Sequence, residues 1–121
     1  MTRTRLAITV AAALALVVAV PLAGAGLRAP KAQAAQSITV TMTEFKFRLT
    51  SKTAHPGAVT LRLVNKGKLA HDIKIAGKKS ALVKPGKTGA LTVTLKKGKY
   101  PYLCTVPGHA AAGMRGVLTV S

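Results

Sequence analysis

Tyr100-Pro101-Tyr102-Leu103-Cys104-Thr105-Val106-Pro107-Gly108-His109-Ala110-Ala111-Ala112-Gly113-Met114-Arg115-Gly116-Val117-Leu118-Thr119-Val120-Ser121 holds the sole cysteine of the 121-residue chain, one of its three histidines and one of its three methionines. Its ends read as strands. Tyr100, Tyr102 and Cys104 fall on one face by period-2 alternation, and Arg115 to Val120 forms the last strand. Between them Pro107-Gly108 and a run of alanines read as a loop. Cysteine, histidine and methionine are spaced Cys-x4-His-x4-Met on that loop. A thiolate, an imidazole and a thioether so close together suit a soft or borderline metal ion. A trigonal site with a weak axial sulfur needs a second imidazole, and His71 is the candidate.

Upstream, short alternating segments follow one another. Ser37 to Met42 sets Ile38, Val40 and Met42 against threonines. Phe45, Phe47 and Leu49 alternate with Lys46 and Arg48. Val59, Leu61 and Leu63 alternate with Thr60 and Arg62, and Leu91, Val93 and Leu95 with Thr92 and Thr94. His71, Ile73 and Ile75 share a face, with Asp72 and Lys74 on the other. Ser51 to Gly57 and Gly77 to Lys87 read as loops. Pro56-Gly57, Pro85-Gly86 and Lys96-Lys97-Gly98 mark turns. No segment after residue 35 has sustained helical periodicity. Seven or so short strands predict a small antiparallel β-sandwich, in which Cys104 and His71 both point inward at strand ends.

Each site residue has an ordinary explanation alone. Cys104 reads as a small buried apolar residue, His71 as a strand-end histidine, His109 as a loop histidine and Met114 as core filler. Together they form a constellation that favours copper. Structural zinc takes four cysteine or histidine ligands and catalytic zinc keeps a water position, and a thioether suits neither. Two histidines and a cysteine with a long axial methionine form the blue-copper arrangement.

The pattern Asn65-Lys66-Gly67-x-x-x-His71, then Tyr100-x-Tyr102-x-Cys104-x4-His109-x4-Met114-x-Gly116-x-Leu118-x-Val120, resembles the cupredoxins, the plastocyanin-like blue-copper proteins, over nearly all of residues 36–121. The Cys-x4-His spacing is closer to phytocyanins and sulfocyanin-like proteins than to plastocyanins, whose loop is shorter. Asp72 stands where many cupredoxins carry asparagine, and Leu103 where plastocyanins carry a tyrosine. The single cysteine excludes the disulfide typical of phytocyanins. The resemblance implies an all-β, small Greek-key antiparallel β-sandwich. It also implies one type 1 copper ion cycling between Cu(I) and Cu(II), with His71, Cys104 and His109 as equatorial ligands and Met114 as the axial one. Asp72 is a candidate to hydrogen-bond across to the loop carrying Cys104, and an exposed acid pairing with a nearby lysine is the equal alternative.

A one-electron carrier is the function this implies, and copper storage or delivery is the alternative. Storage favours exposed methionine- or histidine-rich tracts, which the chain lacks. An oxidase or nitrite reductase needs further copper sites, and His55 is the only histidine outside the constellation, so no enzyme activity is expected. His55 itself reads as an exposed turn residue.

Two features set the location and the partner. Arg3 and Arg5 precede 22 uncharged residues, Leu6 to Leu27, and Ala32-Gln33-Ala34 offers a cleavage site. Residues 1–34 therefore read as a signal peptide, with an uncleaved membrane anchor as the competing reading, and residues 35–121 as one exported domain. That places it in the periplasm, at the cell surface or outside the cell. Of 19 Lys and Arg, removing Arg3, Arg5, Arg28 and Lys31 leaves 15, opposed only by Glu44 and Asp72, a formal charge of +13. Export and the lack of interleaved aromatics argue against nucleic acid. The expected partner is an acidic redox protein docking near His109, whose neighbours Pro107, Gly108 and Ala110 to Ala112 are small and apolar. An anionic membrane or cell-envelope surface is the other acceptor, and a monomer is expected.

Overall fold

The computed structural model describes residues 35–121. The expected signal peptide or anchor, 1–34, lies outside the described residues. Nine strands follow in order: β1 (Gln36–Thr43), β2 (Lys46–Leu49), β3 (Thr53–Ala54), β4 (Gly57–Asn65), β5 (Lys74–Ile75), β6 (Lys78–Lys79), β7 (Thr88–Leu95), β8 (Gly98–Leu103) and β9 (Arg115–Val120). They form a four-stranded sheet, β2-β1-β4-β7, and a five-stranded sheet, β3-β9-β8-β5-β6. The chain crosses between the sheets five times, which gives the sandwich its Greek-key character.

The sandwich is the expected one, but its sheets are mixed. β1 pairs with β4, and β3 with β9, in parallel; the other pairs are antiparallel. A parallel neighbour needs a long crossover. Here β2 and β3 lie between β1 and β4 and supply it. Side-chain alternation is the same for both directions, so the sequence pattern could not separate them.

Alternation does define the core. Val40 and Met42 of β1, Leu61 and Leu63 of β4, and Leu118 and Val120 of β9 are buried between the sheets. Each such side chain contributes about 1.5–3 kcal/mol relative to an exposed one. Four segments depart from the expected pattern. The predicted loops contain two-residue strands, β3 and β6. The segment from His71 is a strand only at Lys74–Ile75, and His71 itself makes a single bridge to Val83. Phe45 lies in the turn between β1 and β2 instead of on a strand face, with a left-handed φ of 48°.

The register sets the two ends of the four-stranded sheet. Met42 pairs with Asn65 at one end of β4, and Gly57 with Leu95 at the other. The loop to His71 leaves from the Asn65 end, so that end carries the candidate site.

Candidate metal centre

His71 is positioned by hydrogen bonds rather than by a long strand. Its N–H donates to the Val83 carbonyl at 3.1 Å and its carbonyl accepts from Val83 N–H at 2.8 Å. Asn65, buried at the end of β4, fastens the preceding loop. Its amide donates to the Leu69 and Val83 carbonyls, both at 2.8 Å, and its oxygen accepts from Gly67 N–H at 2.9 Å. Glu44 grips the same loop from the β1–β2 turn, accepting from Lys68 N–H at 2.6 Å and Leu69 N–H at 2.7 Å. Gly67 makes room for this, since a Cβ there would stand 2.5 Å from Glu44 Oε1.

The other three residues lie on the β8–β9 connection. Cys104 N–H donates to the Met114 carbonyl at 3.0 Å, and Met114 N–H donates to the His109 carbonyl at 3.1 Å. The loop therefore closes on itself around its three sulfur and imidazole residues. Asp72 ties it to the His71 segment: its carboxylate accepts from Thr105 N–H at 2.6 Å and from the Thr105 hydroxyl. The acid follows one candidate ligand and the threonine follows another. Alternation had placed Asp72 on a wet face, but it is only 4 % exposed because the backbone is not a strand there.

The donor atoms converge. His71 Nδ1 lies 3.1 Å from His109 Nδ1, and Cys104 Sγ lies 3.6 Å from His109 Nδ1. His71, Cys104 and His109 form one cluster of potential metal ligands, all buried. Met114, fully buried, belongs to the same loop. Two Nδ1 atoms so close cannot both carry a proton: either one donates to the other, or a shared cation takes both lone pairs. Nitrogen and sulfur ligands bind a first-row ion at about 2.0–2.3 Å, and both separations are shorter than two such bonds end to end. The donor set and its spacing fit a copper ion.

Charges around the donors are ordered. Glu44 Oε1 lies 3.4 Å from His71 Nε2. A proton on Nε2 donated to that carboxylate leaves Nδ1 free to face the other donors. The Leu69 N–H chiefly holds Glu44 down to about 2, with help from Lys68 and His71. Burial lowers the pKa of His71, against a smaller opposing pull from Glu44, so the ring is neutral at neutral pH. Burial pushes the Cys104 thiol up, so a cation must displace its proton on binding.

His109 is 7 % exposed, because Phe45 covers it edge-on with ring centroids 5.1 Å apart. The apolar loop around it is open: Ala111 and Ala112 are exposed and Ala110 is half-buried. His55 is exposed and away from the cluster, its Nδ1 3.4 Å from the Ser121 carbonyl oxygen. Sequence reasoning missed Glu44, Phe45 and Thr105, and it quoted Asn65 in the motif without giving it a role. Asn65 alone carried a signal, as the first residue of that motif and of the turn leading to His71.

A two-sheet β-sandwich that closes two imidazoles, a thiol and a thioether at one end defines a class of small metal-binding proteins. The match to the cupredoxin-like domain covers residues 8–120, and the chain belongs to that family. Auracyanin-B of Chloroflexus aurantiacus is 46 % identical over 43 residues, 35 % of this chain and 18 % of that protein. The copper-resistant cuproprotein CopI of Pseudomonas aeruginosa is 50 % identical over 42 residues, 34 % of this chain and 23 % of that protein. The chain thus matches about a fifth of the length of either relative. Among solved structures, the dithionite-reduced auracyanin of the photosynthetic bacterium Roseiflexus castenholzii superimposes with a TM-score of 0.62 at 25 % identity, covering 73 % of this chain and 98 % of that one.

Proposed function

We propose that the protein is an exported type 1 copper protein that carries single electrons between redox partners, with His71, Cys104, His109 and Met114 as the copper ligands. The observation that carries this reading is the convergence of two Nδ1 atoms and one thiol sulfur within 3.1 and 3.6 Å in a buried place. Bound copper supplies a one-electron Cu(I)/Cu(II) couple. The chain supplies everything else. The two sheets and the Asp72–Thr105 link hold the donors in one arrangement, which limits rearrangement between oxidation states. Phe45 and the core exclude water. No catalytic group is assigned, and the reading is of a carrier rather than an enzyme.

An acidic redox protein is the partner this surface fits. All 15 lysines and arginines of residues 35–121 are exposed. Asp72 is buried and the half-buried Glu44 is engaged by Lys68 N–H, Leu69 N–H and His71, so among the described residues no lysine or arginine side chain is paired with a carboxylate. They would speed encounter with an acidic protein, which then meets the apolar loop around His109.

Copper delivery is the second reading, favoured by the likeness to a copper-resistant cuproprotein. Measuring reversible reduction and the copper off-rate together separates the two. A carrier gives a reversible one-electron wave and retains copper against a weak chelator. Rapid loss of copper with no reversible wave would assign the protein to delivery.

A further inference from the structure

We propose that a groove beside β2 receives an acidic segment of the redox partner, a proposal that rests on the carrier reading above. The groove has a volume of about 540 Å³. Thr41 and Thr43 of β1, Lys46 and Arg48 of β2, and Lys52 and Lys66 line it, over the half-buried Phe47 and Leu49. Four of these eight residues are cations and none is an acid. The register produces this. Thr43 pairs with Lys46 and Thr41 with Arg48, so hydroxyls and cations share the outward face, while Val40 and Met42 turn to the core. Lys66 is drawn alongside by its N–H, which donates to the Met42 carbonyl at 2.9 Å. Glu44 lies close in sequence, but its carboxylate is engaged by Lys68, Leu69 and His71. Among the described residues the only carboxylate paired with a basic side chain is that of Glu44, with His71.

Charge selects the occupant. β2 is an edge strand, and an unpaired edge offers backbone groups to another chain. Lys46 and Arg48 repel a second copy of this protein, whose two acids are both committed to the site. An acidic segment instead gains charge-assisted hydrogen bonds from lysine and a two-pronged contact from arginine, with threonine hydroxyls beside them. Lys46 also follows Phe45, the residue packed on His109. A segment seated in the groove therefore holds the partner at the copper end of the sandwich.

The test titrates the copper-loaded, reduced, isotope-labelled full chain with a ten-residue glutamate peptide, read by amide shifts. The expected shifts cluster on Thr41, Thr43, Lys46 to Leu49, Lys52 and Lys66. Lys46→Glu with Arg48→Glu should weaken binding by about tenfold or more, and the neutral pair Lys46→Gln with Arg48→Gln should weaken it in the same direction. Lys96→Glu with Lys97→Glu makes the same charge change at the far end of the sheet and should weaken binding by less than about threefold. Equal weakening by both glutamate pairs, or shifts spread over every lysine, would overturn the groove. So would phosphatidylglycerol vesicles binding through these residues while the peptide does not. The visible spectrum and redox wave of the unmutated protein are read in parallel. Their failure counts against the carrier reading, whereas peptide results bear on the groove alone.

Discussion

Glu44 links three things at one carboxylate: two backbone N–H groups of the loop to His71, and the far nitrogen of His71 itself. A negative group there stabilises the more positive oxidised copper, so Glu44→Gln should raise the reduction potential, as cyclic voltammetry would show. The pH dependence follows from the direction of its shift. Its folded pKa, about 2, lies below its ordinary 4.5, so its contribution to stability is full above pH 4.5 and is lost as pH falls toward 2. His71, whose pKa is also lowered, adds a loss in the same direction beginning near its ordinary value of 6.5. Acid titration of the melting temperature should therefore be shallower below pH 4.5 in Glu44→Gln. Asp72 acts through structure. Removing it in Asp72→Ala strands the Thr105 N–H and hydroxyl, and should cost about 2–3 kcal/mol in denaturant unfolding. Sequence alone exposed His71, Cys104, His109 and Met114 because their chemistry is uncommon together. It hid Glu44, which meets Leu69 from 25 residues away, since nothing local marks a carboxylate that will bind a distant loop.

Among the elements, the strands were legible and their directions were not. Arg115 to Val120 reads as a strand because alternation and a closing loop agree, and it is one. The segment from His71 also alternates, yet only two of its residues are strand, because Asn65 and Val83 fix its backbone through contacts no local pattern contains. Phe45 fits a strand pattern but turns the chain instead. A bulky residue with φ near 48° costs about 1–3 kcal/mol, and here it roofs His109. Phe45→Gly should relieve that strain and keep stability within about 1 kcal/mol of the parent. The same change should speed copper removal by a chelator. Gly116 faces Tyr102 across β8 and β9, and a Cβ there would overlap the tyrosine ring. Gly116→Ala should cost about 1–3 kcal/mol in thermal or denaturant unfolding.

For the molecule as a whole, a small sandwich with a formal charge of +13 over residues 35–121 places both of its acids at one end, beside the candidate ligands. Those two carboxylates organise the site, and the rest of the surface is left cationic. The fold class was readable because period-2 segments and Pro-Gly turns recur along the chain. The mixed sheets were not, since long-range pairing leaves no trace in alternation. The central claim is that Cys104 gives its thiolate to copper in company with His71, His109 and Met114. The most direct measurement is the visible and EPR spectrum of the copper-loaded protein beside that of Cys104→Ser. An intense thiolate-to-copper charge-transfer band in the parent, abolished in the variant, is the predicted result. A colourless copper adduct whose spectra are unchanged in Cys104→Ser would contradict it.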